Sequence, residues 1–211
     1  MIIEQFVTSG KFRLDGGEWD VDNNVYILAA GNATSDAECY IIDPSHDAER
    51  VIEEVGQRTV KGVSLTHAHN DHITVAPELQ EKLDAPLLVH PGDQMLWDQS
   101  WPDLAHEDLA HGQRLEIAGT EVVIINTPGH SPGSCCLYVP EAAELFSGDT
   151  LFSGGPGATG RSYSDFDTII NSIRDNLLTL PAETTVRTGH GDHTTIGREA
   201  PHLEEWIRRG Y

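Results

Sequence analysis

The chain has 211 residues, enough to bury a core of its own. Its 13 Lys and Arg stand against 34 Asp and Glu, a formal charge of −21 that repels phosphate backbones and argues against a nucleic-acid partner. Cys39, Cys135 and Cys136 make no disulfide framework, the start lacks the pattern of a signal peptide, and no apolar run nears the ~18–20 residues of a membrane span, so a cytoplasmic protein is expected.

Apolar alternation predicts strands over residues 2–8, 24–29 and 39–42. Residues 48–57 have amphipathic helical spacing, 60–65 read as a strand, 75–83 as a helix ending before Pro86, and 87–89 as a short strand. A second set of strands is expected at 114–117, 121–126, 134–139 and 144–146, broken by Gly and Pro. Ile169, Ile170, Ile173, Leu177 and Leu178 form an apolar stripe along a helix over 167–180. Residues 185–188 form a last strand, and 199–209 a closing helix. This order, given twice, suits an α/β protein with two sheets packed between helix layers, a single domain over 1–211. The Gly-rich segment 153–160 lacks the context of a phosphate-binding loop and reads as a flexible wall of an active site.

The chemistry is concentrated in Thr66-His67-Ala68-His69-Asn70-Asp71-His72, directly after an apolar strand end. A core has no use for so many bulky polar groups, each of which must be satisfied if buried. Imidazole and carboxylate side chains at this density point to metal, and their arrangement in two pairs points to two ions. Three later segments each put one ligand candidate beside Gly at a strand exit: His130 in Pro128-Gly129-His130-Ser131, Asp149 in Gly148-Asp149-Thr150, and His190 in Gly189-His190-Gly191. Taken alone these would be ordinary turn residues; their order after the cluster makes them ligand candidates. His46, His90, His106, His111, His193 and His202 are expected to be bystanders, and Cys135 and Cys136 inert buried thiols.

This ordered pattern of HxHxDH, lone His, lone Asp and final His resembles the metallo-β-lactamase superfamily, and the wording around the ligands resembles its glyoxalase II-like hydrolases. The resemblance covers nearly the whole chain and implies the four-layer αββα sandwich of that superfamily. It implies one divalent metal on His67, His69 and His130 and a second on Asp71, His72 and His190, with Asp149 bridging. Asp43, in Ile41-Ile42-Asp43-Pro44, matches the family's early Asp and is implied to orient ligands.

Ligands of this type suit Zn, with Fe or Mn as alternatives. The reaction expected is hydrolysis by a metal-bridging hydroxide, with Asp71 holding or accepting its proton. A thioester of a low-molecular-weight thiol is the favoured small-molecule substrate, because a thiol of pKa near ~8.5 departs without a general acid. Arg161 and Tyr163 are candidate substrate contacts. Gly154-Gly155-Pro156-Gly157-Ala158 stands where glyoxalase II enzymes often have Gly-Cys-Gly-Arg, and 21 residues follow His190, so the carrier thiol is left open. The competing readings are a persulfide dioxygenase with one iron on His67, His130 and Asp149, a lactonase, and a non-catalytic binding module.

Overall fold

Residues 1–210 are described by a computed structural model, and Tyr211 lies outside them. The first sheet has six strands in the order of the chain: β1 (Ile2–Leu14), β2 (Gly17–Ala29), β3 (Glu38–Ile42), β4 (Thr59–Ser64), β5 (Leu87–Val89) and β6 (Glu107–Asp108). β1 to β3 pair antiparallel and β3 to β6 parallel. The connections of the parallel half carry helices α1 (Ala48–Val55), α2 (Asn70–Ile73), α3 (Ala76–Leu83) and α4 (Gln94–Ser100).

The second sheet begins with the antiparallel strands β7 (Arg114–Ile117), β8 (Thr120–Asn126), β9 (Cys135–Val139) and β10 (Glu144–Gly148). A small ribbon of β11 (Leu151–Phe152) and β12 (Gly155–Pro156) follows, then helix α5 (Phe166–Ser172), which continues as a π-turn to Leu177. β13 (Thr185–Thr188) returns parallel to β10, and β14 (Thr194–Thr195) closes the edge. Helices α6 (Ile196–Glu199) and α7 (Leu203–Arg209) end the described chain.

Burial separates three apolar layers, which define the four-layer sandwich. Val25, Ile27, Ile41 and Val63 pack outward from the first sheet on Val51, Val55, Leu79 and Trp97 of the helices. The alternate residues Tyr26, Leu28 and Ile42 face the second sheet at Val122, Ile124, Leu137 and Phe146. Beyond that sheet, Ile125, Cys136, Leu145 and Val186 meet Ile169, Ile173 and Trp206. Strands buried on both faces read as continuous apolar runs, as these do. Cys135 and Cys136 therefore point into different layers, and burial raises both thiols above their ordinary range.

The expected strands and helices are present, with three physical departures. The strands of residues 2–8 and 24–29 are longer, joining through residues 9–23 into one hairpin arm. Its tip is Asp15-Gly16, both with positive φ (51° and 78°), the twist-matching turn of two-residue hairpins. The closing helix is split by a 3₁₀ turn at Ala200–His202, since Pro201 has no N–H to continue the ladder. The short elements α2, α4, α6, β6, β14 and the β11–β12 ribbon, of two to seven residues each, lie outside the expected set. Among the described residues, no helix is long and apolar enough to cross a membrane.

The hairpin tip gives a stability test. Gly16→Val places a branched residue at φ 78° with open space around it, so strain alone decides the outcome. We expect a loss of about 1–2 kcal/mol in urea denaturation, with Gly16→Asn losing less because Asn tolerates the left-handed region; equal stability of the Val variant would contradict this turn.

Candidate metal centre

β3 and β4 of the first sheet and β8, β10 and β13 of the second all end at one rim of the sandwich. Asp43 follows β3, His67 and His69 follow β4, His130 follows β8, Asp149 follows β10 and His190 follows β13. Asp71 and His72 come from α2, whose four residues are one turn that brings both inward and buries them. Strand ends converge here because the sheets are parallel where it matters, so the seven candidate ligands arrive from both halves of the chain.

The side chains fall into groups whose ligand atoms lie within 4.8 Å of one another: His67, His69 and His130; His67, His72 and Asp149; Asp71, His72 and His190. His69 Nδ1 is 2.9 Å from His130 Nε2, and His72 Nε2 is 3.3 Å from His190 Nε2. Asp149 stands between the groups. Its Oδ1 is 3.6 Å from His72 Nε2, and its Oδ2 lies 3.6 Å from His130 Nε2 and 3.4 Å from His190 Nε2. Asp71 Oδ2 lies 3.4 Å from His190 Nε2.

The far nitrogens are held by other groups, which fixes what faces the centre. His130 Nδ1 donates to Ala158 O at 2.9 Å, and His190 Nδ1 donates to Asp22 O at 2.8 Å, which turns each Nε2 toward the centre. His72 Nδ1 is 3.2 Å from Asp43 Oδ2. Asp43 in turn accepts from Thr66 N (2.7 Å) and Thr66 Oγ1 (2.6 Å), tying it to the turn that launches His67.

The donor set fits metal on its own geometry. His67 Nε2, Asp71 Oδ1 and Asp149 Oδ1 are buried with no hydrogen-bond partner in the protein, a costly state unless a cation takes them. Burial, then the neighbouring rings, hold His67 well below the usual imidazole range, and burial with His130 lowers His69 to about 3. At His72 burial opposes charge, but Asp71, Asp149 and Asp43 outweigh it and raise the ring to about 9. Burial is likewise outweighed at His190, where Asp149 and Asp71 raise the ring to about 11. Asp71 is lowered to about 2 against its burial, by His72 and His190.

Two residues that the sequence reading passed over support Asp71. Asn23, fully buried on the hairpin arm, donates Nδ2 to Asp71 Oδ2 at 3.2 Å, and its Oδ1 accepts from His46 Nε2 at 2.9 Å. His46 is thus a bystander to metal but not to the site. An Asn in a strand and a His in a turn carry no local signal of this.

Above the centre lies a cavity of about 250 Å³ that includes His69, Asp71, His130, Asp149 and His190. Its outer wall is the hairpin arm, through Phe12, Leu14, Trp19 and Val21, and the loop after β12, through Ala158, Arg161, Ser162 and Ser164. The tip is tied across: Asp15 accepts from Ser162 Oγ (2.7 Å) and Ser162 N (3.1 Å). Of the two candidate substrate contacts, Arg161 lines this cavity. Tyr163 does not; it is half exposed and borders a neighbouring cleft beside Arg13 and Asp15.

Compared with known proteins, residues 19–190 match the family described as the metallo-beta-lactamase superfamily. The probable metallo-hydrolase YqgX of Bacillus subtilis is 34% identical over 191 residues, covering 83% of this chain and 88% of that protein. Hydroxyacylglutathione hydrolase GloC of Haemophilus influenzae is 33% identical over 175 residues, covering 75% and 82%. The crystal structure of TTHA1623 in a di-iron-bound form aligns with a TM-score of 0.72 at 32% identity, covering 85% of this chain and 93% of that one.

Two measurements check this geometry. A Cβ at Gly189 would overlap Asp149 Oδ1, so Gly189→Ala should weaken metal binding by about 10–100-fold while the metal-free protein still folds; unchanged affinity would show that Asp149 is not fixed there. The second concerns protons. His72 and His190, raised to about 9 and 11, carry protons at pH 7.5 in the metal-free chain, and a metal must displace them. Metal uptake at pH 7.5, followed by calorimetry in buffers of different ionisation enthalpy, should release protons and weaken as pH falls. No release would contradict charged imidazoles at the centre.

Proposed function

This chain belongs to the metallo-beta-lactamase superfamily, whose members are usually metal-dependent hydrolases, and from that premise we propose that it is a dinuclear thioesterase of the glyoxalase II kind. The observation that carries the reading is Asp149, which faces both ligand groups with its two oxygens in a site made only of imidazole and carboxylate. One cation would be held by His67, His69 and His130, the other by Asp71, His72 and His190, with Asp149 shared. Divalent ions at these places, Zn with Fe or Mn as alternatives, would supply an activated water and an electrophile for an acyl oxygen.

The chain's own residues set the rest of the reaction. Asp71 is an ionised carboxylate at the centre, so it can hold the proton of an attacking water. His130 and His190 are committed to Ala158 O and Asp22 O through Nδ1, and a metal at Nε2 would leave neither a proton to give a leaving group. Ser162, Ser164, Arg161 and the Trp19 indole are the polar groups of the outer wall, and none is an acid at neutral pH. A thiolate leaves without one, whereas an amide nitrogen must be protonated. GloC, named for hydrolysis of hydroxyacylglutathione, supports the same substrate class.

The wall adds specificity. Arg161 stacks over Trp19 at 3.9 Å and over Phe12 at 5.4 Å, which holds its guanidinium plane against the hairpin. It makes no ion pair among the described residues, in a chain with 34 acidic groups. That fork is suited to a carboxylate on the substrate, with apolar atoms against Phe12, Leu14 and Val21. A cytoplasmic setting belongs to the same proposal and is supported by the three buried, unpaired thiols.

The test is metal analysis joined to a substrate panel. Purified protein should hold about two metals per chain, hydrolyse acyl thioesters of small thiols, and lose that activity on chelation. Oxygen consumption on a persulfide with one iron, or hydrolysis confined to lactones, would displace the thioesterase reading. Arg161→Ala should raise KM for carboxylate-bearing thioesters by about 10–100-fold, the loss of one charge-assisted contact, with kcat little changed. An equal KM would remove Arg161 from substrate binding.

A further inference from the structure

A buried carboxylate outside the ligand set joins the two loops that carry the three-histidine group. Asp93 lies at the end of the 3₁₀ turn Pro91–Asp93 and is fully buried. Its Oδ2 accepts from Ala68 N at 2.9 Å, the amide between His67 and His69. The same oxygen accepts from Ser131 Oγ at 2.7 Å, next to His130, and Oδ1 accepts from Gly133 N at 2.6 Å. No cation pairs with it among the described residues. Burying an unpaired carboxylate costs several kcal/mol in general, and a fold that needed only to close a loop has apolar ways to do so.

What the carboxylate offers here is geometry and charge together. Its donors come from loops that are distant in sequence, at residues 66–69 and 127–134, and those loops bring three imidazoles to one point. The opposite group has Asp71 among its own ligands, whereas His67, His69 and His130 contribute no charge. We infer that Asp93 is the positioning residue of the three-histidine group: it sets the spacing of His67 and His69 against His130 and balances the charge of the cation they hold. This rests on the two-metal reading above. An Asn in its place offers one acceptor oxygen and no charge, so register and balance would both suffer on that side of the centre alone.

The experiment titrates metal-free protein with zinc by calorimetry, comparing wild type with Asp93→Asn, Ser131→Ala and His69→Ala. Wild type should take two equivalents; failure to do so would overturn the two-metal reading itself, and this inference with it. With two equivalents in wild type, Asp93→Asn should weaken one step by about 10–100-fold and leave the other unchanged. The weakened step should be the one that His69→Ala removes. Ser131→Ala, which deletes one donor and keeps the charge, should weaken the same step by less, and it secures the test if the Asn variant does not fold. A carboxylate serving the fold alone would lower the melting temperature of the metal-free protein and shift both steps equally or neither. Either of those patterns, from Asp93→Asn or from Ser131→Ala, overturns the inference.

Discussion

Imidazoles and carboxylates packed within a few ångströms of one another, most of them buried, are the constraint on which this structure depends. In an ordinary core such a group would cost more than packing returns, and unpartnered atoms such as His67 Nε2 and Asp149 Oδ1 would be defects. Cations turn that cost into a function. The sandwich supplies the means, because both sheets end their aligned strands at one rim and each ligand rides on a strand exit or the turn behind it.

Around the ligands lies a layer that fixes their orientation. Asp43 joins His72 to Thr66, Ala158 O and Asp22 O fix the tautomers of His130 and His190, and Asn23 links His46 to Asp71. Two of these partners come from the hairpin arm, which also walls the cavity with Phe12 and Trp19. One element therefore both aims a ligand and shapes the substrate side. Changes in the arm are coupled to the centre for that reason, even where no ligand is touched.

The candidate ligands stand out in the sequence because metal chemistry demands rare residue types at fixed places. The HxHxDH run could hardly be anything else, and His130, Asp149 and His190 gained meaning from their order behind it. The strands with both faces buried were legible as apolar runs, and the registers of β5, β7 and β13 follow the expected boundaries. The hairpin arm was shortened in the reading because residues 9–23 are mostly polar outside Phe12, Leu14, Trp19 and Val21, although Asp15-Gly16 was the signal for it. Asn23, His46 and Asp93 could not be found, since each acts through partners far away in the chain. Tyr163 has the same sequence appearance as Arg161 two residues earlier, yet the two line different cavities.

Anomalous diffraction from a crystal grown with zinc would locate the cations. Two peaks about 3.5–4 Å apart are expected, one ringed by His67, His69 and His130, the other by Asp71, His72 and His190, with Asp149 touching both. A single peak, or two peaks with Asp149 turned away from either, would contradict the two-metal reading.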